Sequence, residues 1–132
     1  MNRTILIIDD FASVRLYHMS FLTRKGYRCI GANDGAEALA RLQESPIDLI
    51  LLDMVMPGMD GEAFIAHLDQ KAGHNLIPIL AITSEASLAQ ASLGDGRRAV
   101  RVLSKPVMPD TLLWGVQQLL PPSVVEAAAP TH

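Results

Sequence analysis

The sequence predicts an α/β domain built on a doubly wound, five-stranded parallel sheet with helices on both faces. Two observations carry that prediction. Short apolar runs rich in Ile, Val and Leu alternate with stretches of helical period, the pattern of strands buried on both faces by crossover helices. Polar residues close several of those runs: Asp9 and Asp10 follow Ile5-Leu6-Ile7-Ile8, Asp53 follows Leu49-Ile50-Leu51-Leu52, and Thr83 and Lys105 end two more.

The strands are expected at about residues 4–9, 28–32, 49–53, 77–83 and 100–104. The first helix, about 13–25, carries Val14, Tyr17, Phe21 and Leu22 on one stripe and ends at Gly26, where a left-handed cap is wanted. Asp34 is placed to cap a second helix with Ala38, Leu39 and Leu42 inward, and Asp60 a third with Phe64, Ile65 and Leu68 inward. Pro46 and Pro78 mark returns to the sheet. A fourth helix, near 85–93, is rich in Ala and Ser with few large apolar anchors, so weak packing and mobility are expected there. The last begins at Pro109, a favoured first-turn residue, and carries Leu112, Leu113, Val116 and Leu120, with Gly115 a mild interior weakness. Residues 1–121 are expected to form the domain, and the Pro- and Ala-rich tail 122–132 to be disordered or to begin a linker.

A chain of 132 residues with 49% hydrophobic content suits one compact domain and excludes a mainly disordered one. The net charge of −3 lacks the basic excess of a dedicated nucleic-acid binder, so no direct nucleic-acid partner is expected. Cys29 is the only cysteine, which excludes an internal disulfide and reads as a buried strand thiol. No apolar run spans a bilayer, and Asp9-Asp10 interrupts the first one too early for a signal peptide. A cytoplasmic protein without a membrane partner is expected. His18, His67, His74 and His132 fall on different elements, against a His-based metal site. Residues 94–98, with Arg101 nearby, form a basic approach to the last strand that suits either an acidic partner or a solvated loop. Met54, Met56 and Met59 suit a contact surface or loop packing, and Trp114 is read as partly buried helix packing.

In an open parallel sheet ligands bind beyond the carboxyl ends of the strands, so Asp9, Asp10, Asp53, Thr83 and Lys105 belong to one rim. Three carboxylates crowded there resist ionising together unless a divalent cation lies among them. With carboxylates, no second cysteine and no clustered histidines, Mg²⁺ is the expected ion, and Mn²⁺ a substitute. Lys105 offers fixed positive charge, Thr83 a hydroxyl and Asp53 a nucleophilic oxygen, which together suggest phosphoryl transfer onto Asp53. Taken singly, several of these residues have plainer readings. Asp10 suits a helix cap, Thr83 an ordinary strand position, Lys105 a solvated loop, and Lys105-Pro106 either a turn or a cis bond aiming the lysine inward. Neither a cap nor a turn explains an acid at the end of the apolar run before Asp53.

The stretch Ile7-Ile8-Asp9-Asp10-Phe11-Ala12-Ser13-Val14-Arg15, the segment Leu51-Leu52-Asp53-Met54-Val55-Met56-Pro57-Gly58-Met59-Asp60-Gly61, Thr83 and Ser104-Lys105-Pro106 resemble the receiver domain of bacterial two-component response regulators. The resemblance runs from about residue 3 to 120. It implies a flavodoxin-like strand order 2-1-3-4-5 and phosphorylation of Asp53 from a phosphohistidine on a sensor histidine kinase or phosphotransfer protein. It also implies Mg²⁺ held by Asp10, Asp53 and the Val55 backbone carbonyl, with Asp9 acting mostly through water. Lys105 would bond a phosphoryl oxygen, or Asp53 before transfer, and Thr83 would move to bond another. A monomer or weak dimer acting by contact with a downstream protein follows, without independent substrate turnover.

Departures bear on output. Val102 stands where many members carry a Tyr or Phe that changes rotamer with the threonine, Val107 where a Phe often follows Lys-Pro, and Ser84 where Ala or Gly is frequent. A switch involving Thr83, Val102 and Pro106 must therefore work without that aromatic. Val55 and Glu85 occupy positions that tune autodephosphorylation in the family. Alternatives are a receiver-like scaffold read without phosphorylation, or the receiver piece of a larger regulator or hybrid kinase. A haloacid-dehalogenase-type phosphatase would want an Asp-x-Asp pattern, whereas Met54-Val55 follow Asp53. A flavodoxin-like nucleotide binder would want a phosphate-cradling loop where Asp9 and Asp10 stand.

Overall fold

The computed structural model describes residues 2–56, 58–84 and 98–120. Five strands, β1 (Thr4–Ile8), β2 (Arg28–Ala32), β3 (Leu49–Asp53), β4 (Ile79–Thr83) and β5 (Val100–Ser104), form one sheet. Every pairing is parallel and the order is β2-β1-β3-β4-β5. Four helices are described: α1 (Ala12–Arg24), α2 (Gly35–Glu44), α3 (Gly61–Asp69) and α4 (Pro109–Leu119). The helix expected near 85–93, the basic residues 94–97 and the tail 122–132 lie outside the described residues.

The three central strands β1, β3 and β4 are buried along their whole length and largely apolar because both faces are covered, whereas the edge strands β2 and β5 are only partly buried and carry Arg28 and Arg101. Leu6, Ile8, Ile50, Leu52, Ile79 and Ala81 point into one core layer with Ala38 and Leu42 of α2 and Phe64, Ile65 and Leu68 of α3. Ile5, Ile7, Leu49, Leu51, Leu80 and Ile82 point the other way, against Leu22 of α1 and Leu112 and Val116 of α4. That is the period-two alternation of a strand with both faces dry.

Helix ends follow local chemistry. Asp34 accepts a hydrogen bond from Glu37 N–H and Asp60 one from Ala63 N–H, so both expected caps are present, each contributing about 1 kcal/mol. Gly26 has φ +98° just past α1, where the left-handed residue was expected. β4 starts at Ile79 rather than 77, directly after Pro78, which has no N–H to give a ladder. β1 stops at Ile8, leaving Asp9 in the turn.

Three expectations about side chains need correction. Leu22 of α1 is buried and Phe21 packs partly on the same core, but His18 is the other buried residue of the helix, while Val14 and Tyr17 are exposed along a cleft that Asp9 and Lys105 also line. Gly115 is less a weakness than a close approach: a Cβ there would lie 3.0 Å from Leu80 Cδ1 and 3.2 Å from Leu103 Cδ1. Trp114 is 47% exposed with the Arg101 guanidinium over its ring at 5.1 Å, so it packs less than expected. Cys29 is half-buried, and burial raises its thiol pKa. No helix among the described residues is long and apolar enough to cross a membrane.

Candidate functional site

Register delivers the site. Ile8 pairs with Ala32 and Leu52, so the residues that follow β1 and β3 emerge side by side at the carboxyl edge of the sheet. Asp53 is the last residue of β3, paired with Ile82, and Thr83 ends β4 opposite Ser104. Asp9, Asp10, Asp53, Thr83 and Lys105 thus reach the same rim.

Asp53 is buried at 3% exposure. Its Oδ1 accepts from Lys105 Nζ at 3.0 Å and from Val55 N–H at 3.1 Å. Its Oδ2 is buried without a hydrogen-bond partner among the described residues, and so is Oδ1 of Asp10. Asp10 does not cap α1: the cap position is Phe11, with no side-chain cap bond. Asp9 is buried and its Oδ1 accepts from Phe11 N–H at 2.9 Å. Burial pushes the Asp9 carboxyl above its ordinary pKa, the Phe11 bond pulls it down, and Asp53 pushes it up again.

Each of the three aspartates offers a ligand atom, and these atoms lie within 4.8 Å of one another. Two unpartnered buried oxygens in an all-carboxylate set fit a hard divalent cation, which would supply the missing electrostatic partner. Val55 is exposed beside this group, at the start of the loop that leads to α3. The loop is closed by Gly61 N–H donating to the Met54 carbonyl at 3.1 Å, and a Cβ on Gly61 would lie 2.8 Å from Met54 Cα. Gly58 takes φ +82°, and Pro57 lies outside the described residues. Met54 and Met56 are buried and Met59 packs on the same core, so these side chains are loop packing rather than contact surface.

Thr83 is buried, and its carbonyl accepts from Lys105 N–H at 3.0 Å, which fixes where the lysine leaves the sheet. The Lys105-Pro106 bond is cis. Val102 is half-buried against the α2/α3 core layer, and Ser84 is exposed. Glu85 lies outside the described residues.

Some residues acquire meaning only in three dimensions. Arg98, expected in a basic segment suited to an acidic partner or a solvated loop, is buried: its guanidinium donates to Asp69 Oδ1 at 2.7 and 3.3 Å and to the carbonyls of His74 and Ile77 at 3.1 and 2.8 Å. It is therefore not available to an acidic partner. A cleft of about 620 Å³ opens beside Asp9 and Lys105, walled by Phe11, Val14, Tyr17 and His18. His18 is buried, and burial, then the nearby Lys105 charge, lowers its pKa. The exposed stripe Phe11, Val14 and Tyr17 was the available signal, since an apolar helix face beside a rim of charges need not face a core.

Comparison with known proteins agrees with this architecture. The protein PilH of Pseudomonas aeruginosa is 28% identical over 116 residues, which cover 88% of this chain and 96% of PilH. The transcriptional regulatory protein PhoP of Bacillus subtilis is 34% identical over 131 residues, and GtcR of Aneurinibacillus migulanus 33% over 109; these span 99% and 83% of this chain. The chain spans only 44% of GtcR and 53% of PhoP. Among solved structures, the chemotaxis response regulator CheY4 of Vibrio cholerae superposes with a TM-score of 0.83 at 34% identity, covering 91% of this chain and all of that one. The sequence profile of the response regulator receiver domain matches residues 5–117, and the chain belongs to that family.

Proposed function

We propose that Asp53 is the phosphoacceptor of a two-component signalling module and takes its phosphoryl group from a phosphohistidine on a histidine kinase or phosphotransfer protein. The observation that carries this reading is the pairing of Asp53 with Lys105 beside the three-carboxylate cluster. A carboxylate oxygen of Asp53 forms the new P–O bond as the P–N bond to the donor imidazole breaks. The bonding pair stays on that ring nitrogen, and with the other ring nitrogen protonated the imidazole leaves neutral. Lys105, already at hydrogen-bond distance from Asp53, neutralises charge on the transferring group, and Thr83 donates its hydroxyl to an equatorial oxygen.

Asp10 and Asp53, with the Val55 carbonyl, would hold Mg²⁺ or Mn²⁺ directly, and Asp9 through water. When bound, the ion offsets carboxylate repulsion and phosphoryl charge. The cleft beside Lys105 gives the donor side chain a route to the rim. Output runs through contact with a downstream protein in the cytoplasm, and no turnover of exogenous phosphate esters accompanies it.

Incubation with Mg²⁺ and a small acyl phosphate, read by intact mass, tests the reading. A phosphoryl-sized gain that vanishes in Asp53→Asn and with a chelator supports it. No gain, together with no trapping by a metal-fluoride phosphoryl mimic, overturns it in favour of a scaffold read without phosphorylation.

A further inference from the structure

We propose that Arg15 is a positioning residue for the acidic cluster, fixing the peptide plane between Asp9 and Asp10 and so aiming both carboxylates at a divalent cation. The inference rests on the cation-assisted reading of the site. Arg15 Nη1 donates to the Asp9 carbonyl at 2.7 Å, a charge-assisted bond of short length. That carbonyl belongs to the planar peptide unit joining Asp9 to Asp10, so holding it restricts ψ of Asp9 and φ of Asp10 together. Asp9 is pinned twice more, by its own N–H on the Ala32 carbonyl at 3.1 Å and by Phe11 N–H on its Oδ1. The Asp10 side chain has no comparable anchor: its Oδ1 is buried without a partner among the described residues. Phe11 N–H, held on Asp9 Oδ1, fixes the peptide unit after Asp10, and the Arg15 bond fixes the one before it, so that losing the arginine frees one of the two planes that orient Asp10.

The arginine is itself held in place. The same Nη1 lies 3.4 Å from Asn33 Oδ1, and Asn33 is tied through its N–H to Glu37 at the start of α2. Gly31 clears the path, since a Cβ there would lie 3.3 Å from Arg15 Cδ and 2.9 Å from Met19 Sδ. A Cβ on β2 at that point would crowd Met19 first and press on the arginine stem beside it.

Two effects of Arg15 on a cation oppose each other. Its positive charge near three carboxylates disfavours a second cation, whereas its hold on the peptide plane pre-orders the ligands. The sign of the change on removing it distinguishes them. We would titrate wild type, Arg15→Gln, Arg15→Lys and Asn33→Ala with Mn²⁺, following free Mn²⁺ by electron paramagnetic resonance, and record thermal midpoints in chelator. Positioning predicts about tenfold weaker Mn²⁺ binding in both arginine variants, in the range seen when groups that orient metal ligands are removed. Lys retains the charge but is shorter and places its nitrogen short of the Nη1 position that meets the Asp9 carbonyl, so it should not rescue. Asn33→Ala should weaken binding about twofold, since it loosens only the arginine's anchor. Metal-free midpoints should stay within a few degrees of wild type. Tighter or unchanged binding in Arg15→Gln overturns the inference and leaves the cation reading intact. If Arg15→Gln fails to fold, Arg15→Lys and Asn33→Ala decide by the same criterion. A wild type that binds no Mn²⁺ overturns the cation reading itself, and this inference with it.

Discussion

Lys105 Nζ donates to Asp53 Oδ1 at 3.0 Å although 52 positions separate the two residues. β4 lies between their strands, and the lysine crosses its end because Lys105 N–H is held on the Thr83 carbonyl. The pair is asymmetric: the Asp53 side chain is 2% exposed and that of Lys105 39%. Solvent therefore screens the lysine, and the bond matters more for where charge is presented than for stability. It occupies one oxygen of Asp53 and leaves the other buried without a hydrogen-bond partner among the described residues.

Replacing Lys105 with Met should slow phosphorylation of Asp53 by about a hundredfold, the scale of losing one preorganised group that stabilises transition-state charge. The urea midpoint should hardly move. Time-resolved intact mass with a small acyl phosphate gives the rate, and a wild-type rate would remove Lys105 from the chemistry.

Gly61→Ala should damage both stability and phosphorylation. Its Cβ would fall 2.8 Å from Met54 Cα, a backbone atom that moves only if the loop after Asp53 moves. The gain in helix propensity from Gly to Ala, about 1 kcal/mol, is expected to be outweighed by overpacking of about 1–3 kcal/mol. Denaturant unfolding checks the first effect and the phosphorylation rate the second; an unchanged rate would mean that the loop tolerates the shift.

Arg98→Ala should cost about 3 kcal/mol, since it strips a fully buried guanidinium from Asp69 and from two backbone carbonyls. Urea unfolding measures this. A loss below about 0.5 kcal/mol, the usual limit for surface changes, would contradict the buried placement.

His18 gives a pH dependence with a definite sign. Its folded pKa is depressed, so the stability it contributes is full above its unfolded value near 6.5 and is lost as pH falls through the lower folded value. Thermal midpoints should fall between pH 7.5 and 5.5, and fall less in His18→Leu. Equal slopes would show that the imidazole titrates as if exposed.

These cases also mark what a linear reading reaches. The caps at Asp34 and Asp60 were legible because donor and acceptor are three residues apart. The central strands were legible because burial on both faces leaves a near-unbroken apolar run, and the shared rim of Asp9, Asp10, Asp53, Thr83 and Lys105 because strand ends converge whatever the loops do. Arg98 was misread because its partners are 21 to 29 residues away, with no local pattern to betray them. Val14 and Tyr17 were misassigned because an apolar stripe does not say whether it meets the core or the open rim. The contact between Arg15 and the Asp9 carbonyl was invisible because a backbone acceptor leaves no mark in composition.

Locating the phosphoryl group decides which of the three carboxylates accepts it. Wild-type protein would be phosphorylated with Mg²⁺ and a small acyl phosphate, reduced with borohydride to convert an aspartyl phosphate to homoserine, digested and sequenced by tandem mass spectrometry. Homoserine is expected at position 53, with Asp9 and Asp10 unchanged. Reduction at either of those residues instead, or a stable phosphate on His18 with Asp53 intact, would contradict it.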